Sequence, residues 1–337
     1  PSAHHRTWLD DYMRILRAVS ALTAAAALAF TGVGAASAQA VAGQPATDPS
    51  TREPIPVPDS FLTGAAQAFT APGVDLPGAN DWSCRPTPDK PRPVVLVHGT
   101  GGGAVSNWAT YGPLLHNEGY CVYTLTYGAL PDQPWPISEL GALSDILEVS
   151  VPQVSEFVDR VLDASGAEQV DLVGHSQGTL VSGLVAKTGR PGRVHTVASL
   201  APLWDGAGAD SMAALESVPG LLEQVNRILP PAMSQLGPDS AAFQRVWEGG
   251  TPYAPGVRYL NVVTRYDQLV TPYTAGIVPG PLTANVVLQD GCEQNHADHT
   301  AIAADTRAAD FILAALDPAD RREPRCEPVG PRTVPGS

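Results

Sequence analysis

The stretch Val170–Gly189, VDLVGHSQGTLVSGLVAKTG, decides how this chain is read. It opens on an apolar β-branched run, closes on a run with helical spacing, and sets Ser176 between Gly174 and Gly178 at the junction. A strand that turns sharply into a helix holds the residue at the turn clear of the sheet, and flanking glycines leave room for the crossing. The helix start behind it offers free N–H groups and a positive dipole end, which suit a developing anion. Ser176 therefore reads as a nucleophile. The alternative is a glycine turn with an incidental serine, and the rest of the chain decides between them by whether it supplies a base and an acid.

Five further runs have the same apolar character: VVLVHG from Val94, YCVYTLTYG from Tyr120, VHTVASLAP from Val194, VRYLNVVTRYD from Val257 and ANVVLQDGC from Ala284. Continuous apolar runs of this length are the mark of strands buried on both faces. Helical spacing fills several gaps, in ISELGALSDILEVSVPQVSEFVDRVLDASG, in TLVSGLVAKTG and in HTAIAADTRAADFILAALD. Pro152 should start a new helix or kink the first of these. Strands alternating with helices predict an α/β fold, a mostly parallel sheet with helices on both faces. Residues 204–250 read as a mainly helical insertion over the carboxyl edge of that sheet. No internal repeat is visible.

The composition of the 337-residue chain, 44% hydrophobic and 16% charged, suits a globular core. A formal charge of −14 argues against a nucleic-acid binder and gives no support to electrostatic docking on anionic membrane. Arg14 and Arg17 precede the apolar run AVSALTAAAALAFTGVGA, and Ala36-Ser37-Ala38 follows with small residues. This is the pattern of a signal peptide over residues 1–38, cleaved near Ala38, and predicts a secreted protein; the residues before Met13 read as upstream sequence. Residues 39–80 form a lead-in, Pro-rich and extended to about residue 60. The catalytic domain is expected over 81–317, with 318–337 a tail pinned by Cys326. In an oxidising compartment the four cysteines imply two disulfides, with three pairings possible. The pairing nearest in sequence, Cys84–Cys121 and Cys292–Cys326, is favoured, each bond stabilising by up to about 4 kcal/mol. No C-x-x-C spacing suggests zinc.

A serine hydroxyl is a weak nucleophile without a base, so a histidine and an acid are needed downstream. Asp267, in VVTRYDQLVTP, directly follows a strand and is the candidate acid, with Asp205 the alternative. His299, in DGCEQNHADHTAIAAD, stands at the mouth of a helix and is the candidate base, with His296 its rival. The order Ser–Asp–His is the one expected of this elbow. Asp298 reads as the cap of the helix near Thr300, His175 as a packed turn residue, and His98 as a hydrogen-bonding support for the next loop. His296, Asp298 and His299 as metal ligands lack a fourth partner. The glycine-rich HGTGGGAVSNW after the first strand lacks the G-K-[ST] ending of a phosphate loop and instead suits an oxyanion hole. Its donors are the backbone N–H groups of Thr100 and Gln177, with the Thr100 hydroxyl a third candidate. Leu130, Trp135 and Ile137 in YGALPDQPWPISELG, and Leu203, suit an apolar substrate pocket, or ordinary core packing. No metal or organic cofactor is required.

VVLVHGTGG, YGALP, FVDRVLDASGAEQVDLVGHSQG, VVTRYDQLVTPY and VVLQDGCEQNHADH, over about residues 80–315, together resemble secreted α/β-hydrolase lipases and esterases of the bacterial class 2 type. The chain is more distantly similar to fungal lipase B. The resemblance implies an oxyanion hole at Thr100 and Gln177, the acid at Asp267 and the base at His299, seven residues after a cysteine. Thr179 departs from the glycine common at its position and is expected to narrow the pocket. Thr300 departs from a small or apolar residue. The implied activity is ester hydrolysis through an acyl-enzyme, on a small-molecule or lipid ester, by a monomer in transient contact with a lipid interface. An acyltransferase using the same intermediate, and a non-catalytic binder of apolar ligands, are the competing readings.

Overall fold

All six apolar runs become strands of one sheet: β1 Val94–Val97, β2 Val122–Thr124, β3 Val170–His175, β4 Val194–Leu200, β5 Arg258–Val263 and β6 Thr283–Val287. A computed structural model describes residues 52–207, 229–320 and 322–330 of the chain. The strand order is β2-β1-β3-β4-β5-β6, and every neighbouring pair is parallel. β1, β2 and β3 are buried along their whole length, including Asp171 of β3, which is paired with Arg92 at 2.9 Å, whereas the edge strand β6 is half open to solvent.

Seven α-helices accompany the strands among the described residues: α1 Phe61–Ala68, α2 Tyr111–Asn117, α3 Val151–Ser165, α4 Gln177–Leu184, α5 Pro231–Ser234, α6 Ala241–Val246 and α7 Thr306–Leu316. Side chains alternate across a strand, and the core divides accordingly. Val95, Val97, Leu172 and Val197 pack with Val154, Val158 and Leu180 of α3 and α4 on one face. Val94, Leu96, Val173 and Leu260 pack with Leu114, Ile312 and Leu316 of α2 and α7 on the other. This is the expected α/β architecture.

Three local expectations resolve in physical terms. Pro152 falls in the first turn of α3, directly after a π turn at Ile146–Ser150 that runs into it, so helical backbone continues through the proline with a change of register there. The apolar run after His299 is not one helix. A short 3₁₀ turn, Ala301–Ala304, stops at Asp305, whose Oδ1 accepts the Ala308 N–H at 2.8 Å and caps α7. Aspartate satisfies a free helix N–H better than it serves a helix interior. Within the expected insertion, residues 208–228 lie outside the described residues, and α5 and α6 are short. Trp204 at its start is a core residue: fully buried, it donates Nε1–H to Asn261 Oδ1 at 2.8 Å.

The lead-in is extended over residues 54–58 and then forms α1. A Cβ on Gly64 would stand 2.6 Å from that of Ala109, so helix and loop touch closely there. Leu76 is buried in the same core as Trp108 and Tyr111, and Asn117 bonds both main-chain groups of Ile55 at 2.9 and 2.8 Å. Both favoured disulfides are formed, with Cα–Cα separations of 5.8 Å for Cys84–Cys121 and 5.5 Å for Cys292–Cys326. The tail is also held by Arg325 on Asp310 and by Arg307 on the Pro324 and Arg325 carbonyls. The signal-peptide reading and residues 331–337 fall outside the described residues. No helix among the described residues is long and apolar enough to cross a membrane.

Candidate active site

Ser176 directly follows β3 with φ 53° and ψ −125°, and α4 begins one residue later. A serine holds this sparsely populated conformation only where its surroundings impose it. They do. A Cβ on Gly178 would collide with the Val97 carbonyl of β1, and one on Gly174 would lie 2.8 to 2.9 Å from the backbone of Gly178 and Thr179. The two glycines of the pentapeptide therefore answer to close packing of strand against helix. Thr179 is fully buried, and its hydroxyl donates to the Ser176 carbonyl at 2.7 Å. It buttresses the elbow from within the helix.

The three predicted side chains meet. Ser176 Oγ lies 2.9 Å from His299 Nε2. His299 Nδ1 lies 2.9 and 2.8 Å from the two carboxylate oxygens of Asp267. A nucleophile within hydrogen-bond reach of a base, itself oriented by an acid, is the arrangement that activates a serine. Asp267 Oδ1 also accepts the N–H groups of Leu269 and Val270 at 2.9 and 2.8 Å, which fixes the carboxylate. Asp267 and His299 are 9% and 3% exposed, so their attraction acts in a medium drier than water.

The loops carrying acid and base are tied to each other. Thr264 donates its hydroxyl to the Ala297 carbonyl at 2.5 Å. Gln289 accepts the Arg265 N–H at 2.9 Å and donates to Thr264 Oγ1 and the Asn295 carbonyl at 3.0 Å each. Asn295 donates to Asp305 at 2.7 Å, so the cap of α7 belongs to the same network. Gln289 and Asn295 carried no role in the sequence. They stand among many other polar residues in QDGCEQNHADH, residues 289–299, so nothing in the sequence singled them out.

The candidate oxyanion loop is held from three sides. The Thr100 hydroxyl donates to Gln177 Oε1 at 2.6 Å, bringing the two candidate N–H donors to one place. That hydroxyl is engaged, so it reaches a substrate oxygen only by leaving Gln177. Gly101 N–H bonds the Gly141 carbonyl at 2.9 Å, and Gly141 N–H returns a bond to Gly102 at 2.7 Å. His98 accepts the Tyr127 N–H at its Nε2 at 3.2 Å and places Nδ1 2.8 Å from the Gly99 carbonyl, while the Tyr127 hydroxyl donates to the His98 carbonyl at 2.6 Å. Complete burial pushes His98 down to about 4, which preserves the lone pair that accepts from Tyr127. His98 thus supports the loop as expected.

The rivals fall away on position. His296 is exposed, stands edge-on to Tyr266 at 4.9 Å, and lines a surface hollow with Arg265 and Gln268. Asp205 is exposed on a turn and bonds through its N–H to Ala275. Asp298 accepts the Thr300 and Ala301 N–H groups at 3.1 and 2.8 Å and the Thr300 hydroxyl at 3.0 Å, as a cap does. Among the described residues no group of three or more His, Cys, Asp or Glu is disposed to hold a metal ion. Leu203 is 1% exposed inside the core beside Trp204 and Phe243, which corrects its assignment to a pocket wall; a β-sheet end followed by bulky apolar residues reads the same either way. Leu130 and Trp135 are half-buried and Ile137 is 38% exposed, in the segment that leads to Gly141.

The chain matches the family described as alpha/beta hydrolase fold over residues 92–243, from the approach to β1 into α6. Among solved structures it is similar to lipase B of Aspergillus fumigatus, with 18% identity and a TM-score of 0.53 over 80% of this chain. It spans 63% of the length of that protein. The propeptide form of the Bacillus licheniformis lipase BlEst2 gives 15% identity and a TM-score of 0.52 over 73% of this chain and 53% of that one. The mature form of the same lipase gives 16% identity and a TM-score of 0.49 over 69% of this chain and 94% of that one. No curated protein matches the chain in sequence.

Proposed function

Because the chain has the α/β-hydrolase fold, we propose that it is a serine hydrolase of carboxylic esters, a lipase or esterase, working through an acyl-enzyme. The observation that carries this reading is the line Ser176–His299–Asp267, with contacts of 2.9 Å to the serine and 2.8 Å to the carboxylate, on a strained elbow. His299 takes the proton of Ser176 as Oγ attacks the ester carbonyl carbon. The backbone N–H groups of Thr100 and Gln177 bind the oxyanion. His299 then gives its proton to the leaving alcohol, water enters, and the cycle repeats to free the acid. Asp267 keeps Nδ1 protonated and stabilises the imidazolium. Losing one oxyanion donor typically costs about 3 to 4 kcal/mol of transition-state stabilisation.

The substrate is a small-molecule or lipid ester with an apolar acyl or alcohol part, met by Leu130, Trp135 and Ile137. Two disulfides fit a protein that works outside the cell after loss of a signal peptide near Ala38. The test is hydrolysis of p-nitrophenyl esters of short to medium chain by the purified protein. Ser176→Ala should abolish it and leave the fold intact. Full activity in a folded Ser176→Ala variant would remove the serine from the mechanism.

A further inference from the structure

His175 stands next to Ser176, and no step of the hydrolysis uses it. Its ring is 4% exposed and lies between oxygen atoms from two other loops. Nε2 is 2.8 Å from the main-chain oxygen of His299, and Nδ1 is 2.9 Å from Asn107 Oδ1. Asn107 is itself 3% exposed, and the same Oδ1 accepts the Gly99 N–H at 3.1 Å, one residue before Thr100. One side chain of the elbow therefore touches the main chain that carries the base. Through one amide it also touches the main chain of the oxyanion loop.

A neutral imidazole has a single N–H to give. Burial, reinforced by the His299 ring 5.2 Å away, holds His175 down at about 3, so the ring is neutral near pH 7. The His299 carbonyl can only accept, whereas an amide presents a donor or an acceptor by turning about its last bond. Asn107 has a donor to offer, because its Nδ2 is buried without a hydrogen-bond partner among the described residues. The N–H of His175 accordingly belongs on Nε2, given to His299. The Asn107 amide meets Nδ1 by turning, at the expense of its bond to Gly99.

We propose that His175 is a positioning residue: its Nε2–H, given to the main-chain oxygen of His299, and its contact with Asn107 brace the base and the nucleophile against one another and against the segment that carries Asn107. The inference rests on the triad reading above. The brace sets the height of the His299 ring, whose two nitrogens must meet Ser176 and Asp267 together. A misplacement of about 1 Å at such a site can cost on the order of 100-fold in rate.

Amide side chains separate the two contacts. Glutamine can place an N–H where Nε2 stands, and asparagine reaches only the Nδ1 position. With p-nitrophenyl butyrate, His175→Asn should lose about 10- to 100-fold in kcat with KM changed less than about twofold, while His175→Gln stays within about threefold of wild type. Labelling of Ser176 by a fluorophosphonate needs the serine and its base but no particular ester, and its rate should fall in the same order. A folded His175→Asn with wild-type kcat, or equal losses in folded Gln and Asn variants, would overturn the proposal. Should both variants fail to fold, Asn107→Ser decides: a kcat loss at unchanged KM supports the brace, and wild-type kcat overturns it. A wild-type protein that is labelled at Ser176 but cleaves no ester counts against the ester reading alone, and the labelling rates still judge the brace. A wild-type protein that is not labelled overturns both.

Discussion

Mild acid should weaken this protein through two buried imidazoles. An unfolded histidine titrates near 6.5, but burial holds His98 at about 4 and His175 at about 3 in the folded chain. The unfolded state therefore binds more protons below pH 6.5, and stability falls as pH drops, each contribution levelling off once pH passes below the native value. At pH 5, relative to pH 8, each group removes about 2 kcal/mol, together about 4 kcal/mol against a total stability of typically about 5 to 15 kcal/mol. His116, lowered by burial and by Arg52, adds to the same trend. Glu139 and Asp305, raised by burial, oppose it toward the acid end. The assay is urea unfolding followed by tryptophan fluorescence at pH 7.5 and pH 5.0 with disulfides intact. His98→Gln and His175→Gln should each remove about 2 kcal/mol of the difference between the two pH values, whatever they do to stability at either one. Equal stability of the wild type at both pH values, or variants that keep the full wild-type difference, would refute the reasoning.

Further outcomes follow from the same geometry. Ser176→Gly should be inactive yet more stable by about 1 kcal/mol in denaturant unfolding, because glycine accepts the positive φ of the elbow. Asp305→Ala should cost about 3 kcal/mol, from the lost α7 cap and an unpaired buried Asn295, whereas Asp305→Asn keeps the cap and should cost less. His299→Ala should abolish ester hydrolysis and His296→Ala should retain it, measured side by side with one chromogenic ester. Joint replacement of Cys292 and Cys326 by alanine should lower stability by about 4 kcal/mol in the chain-entropy estimate, read as a shift in urea midpoint.

The fold was legible because parallel strands write themselves as largely apolar, β-branched runs, and each of the six runs became a strand. The elbow was legible for a related reason: Gly174 and Gly178 meet backbone on the far side, so no other residue fits. Asp267 could be picked out from its place shortly after β5, and His299 from its place ahead of an apolar helical run. What held them there could not. Thr264, Gln289, Asn295 and Asn107 act through contacts between loops far apart in the chain, and a polar residue in a loop does not name its partner. Leu203 stood between pocket wall and core because an apolar residue after a strand suits both equally well, and its burial places it in the core. The run after His299 read as one helix because its apolar spacing is continuous, and only the capping preference of Asp305 breaks it.

The central claim is that Ser176 attacks the substrate and carries the acyl group. The most direct measurement is mass spectrometry of the protein quenched within the first turnover of a p-nitrophenyl ester, followed by peptide mapping. The peptide that contains Ser176 should gain the mass of one acyl group, together with a burst of nitrophenol, and Ser176→Ala should show neither. Ester hydrolysis with no adduct on Ser176, or an adduct on another residue that survives in Ser176→Ala, would contradict it.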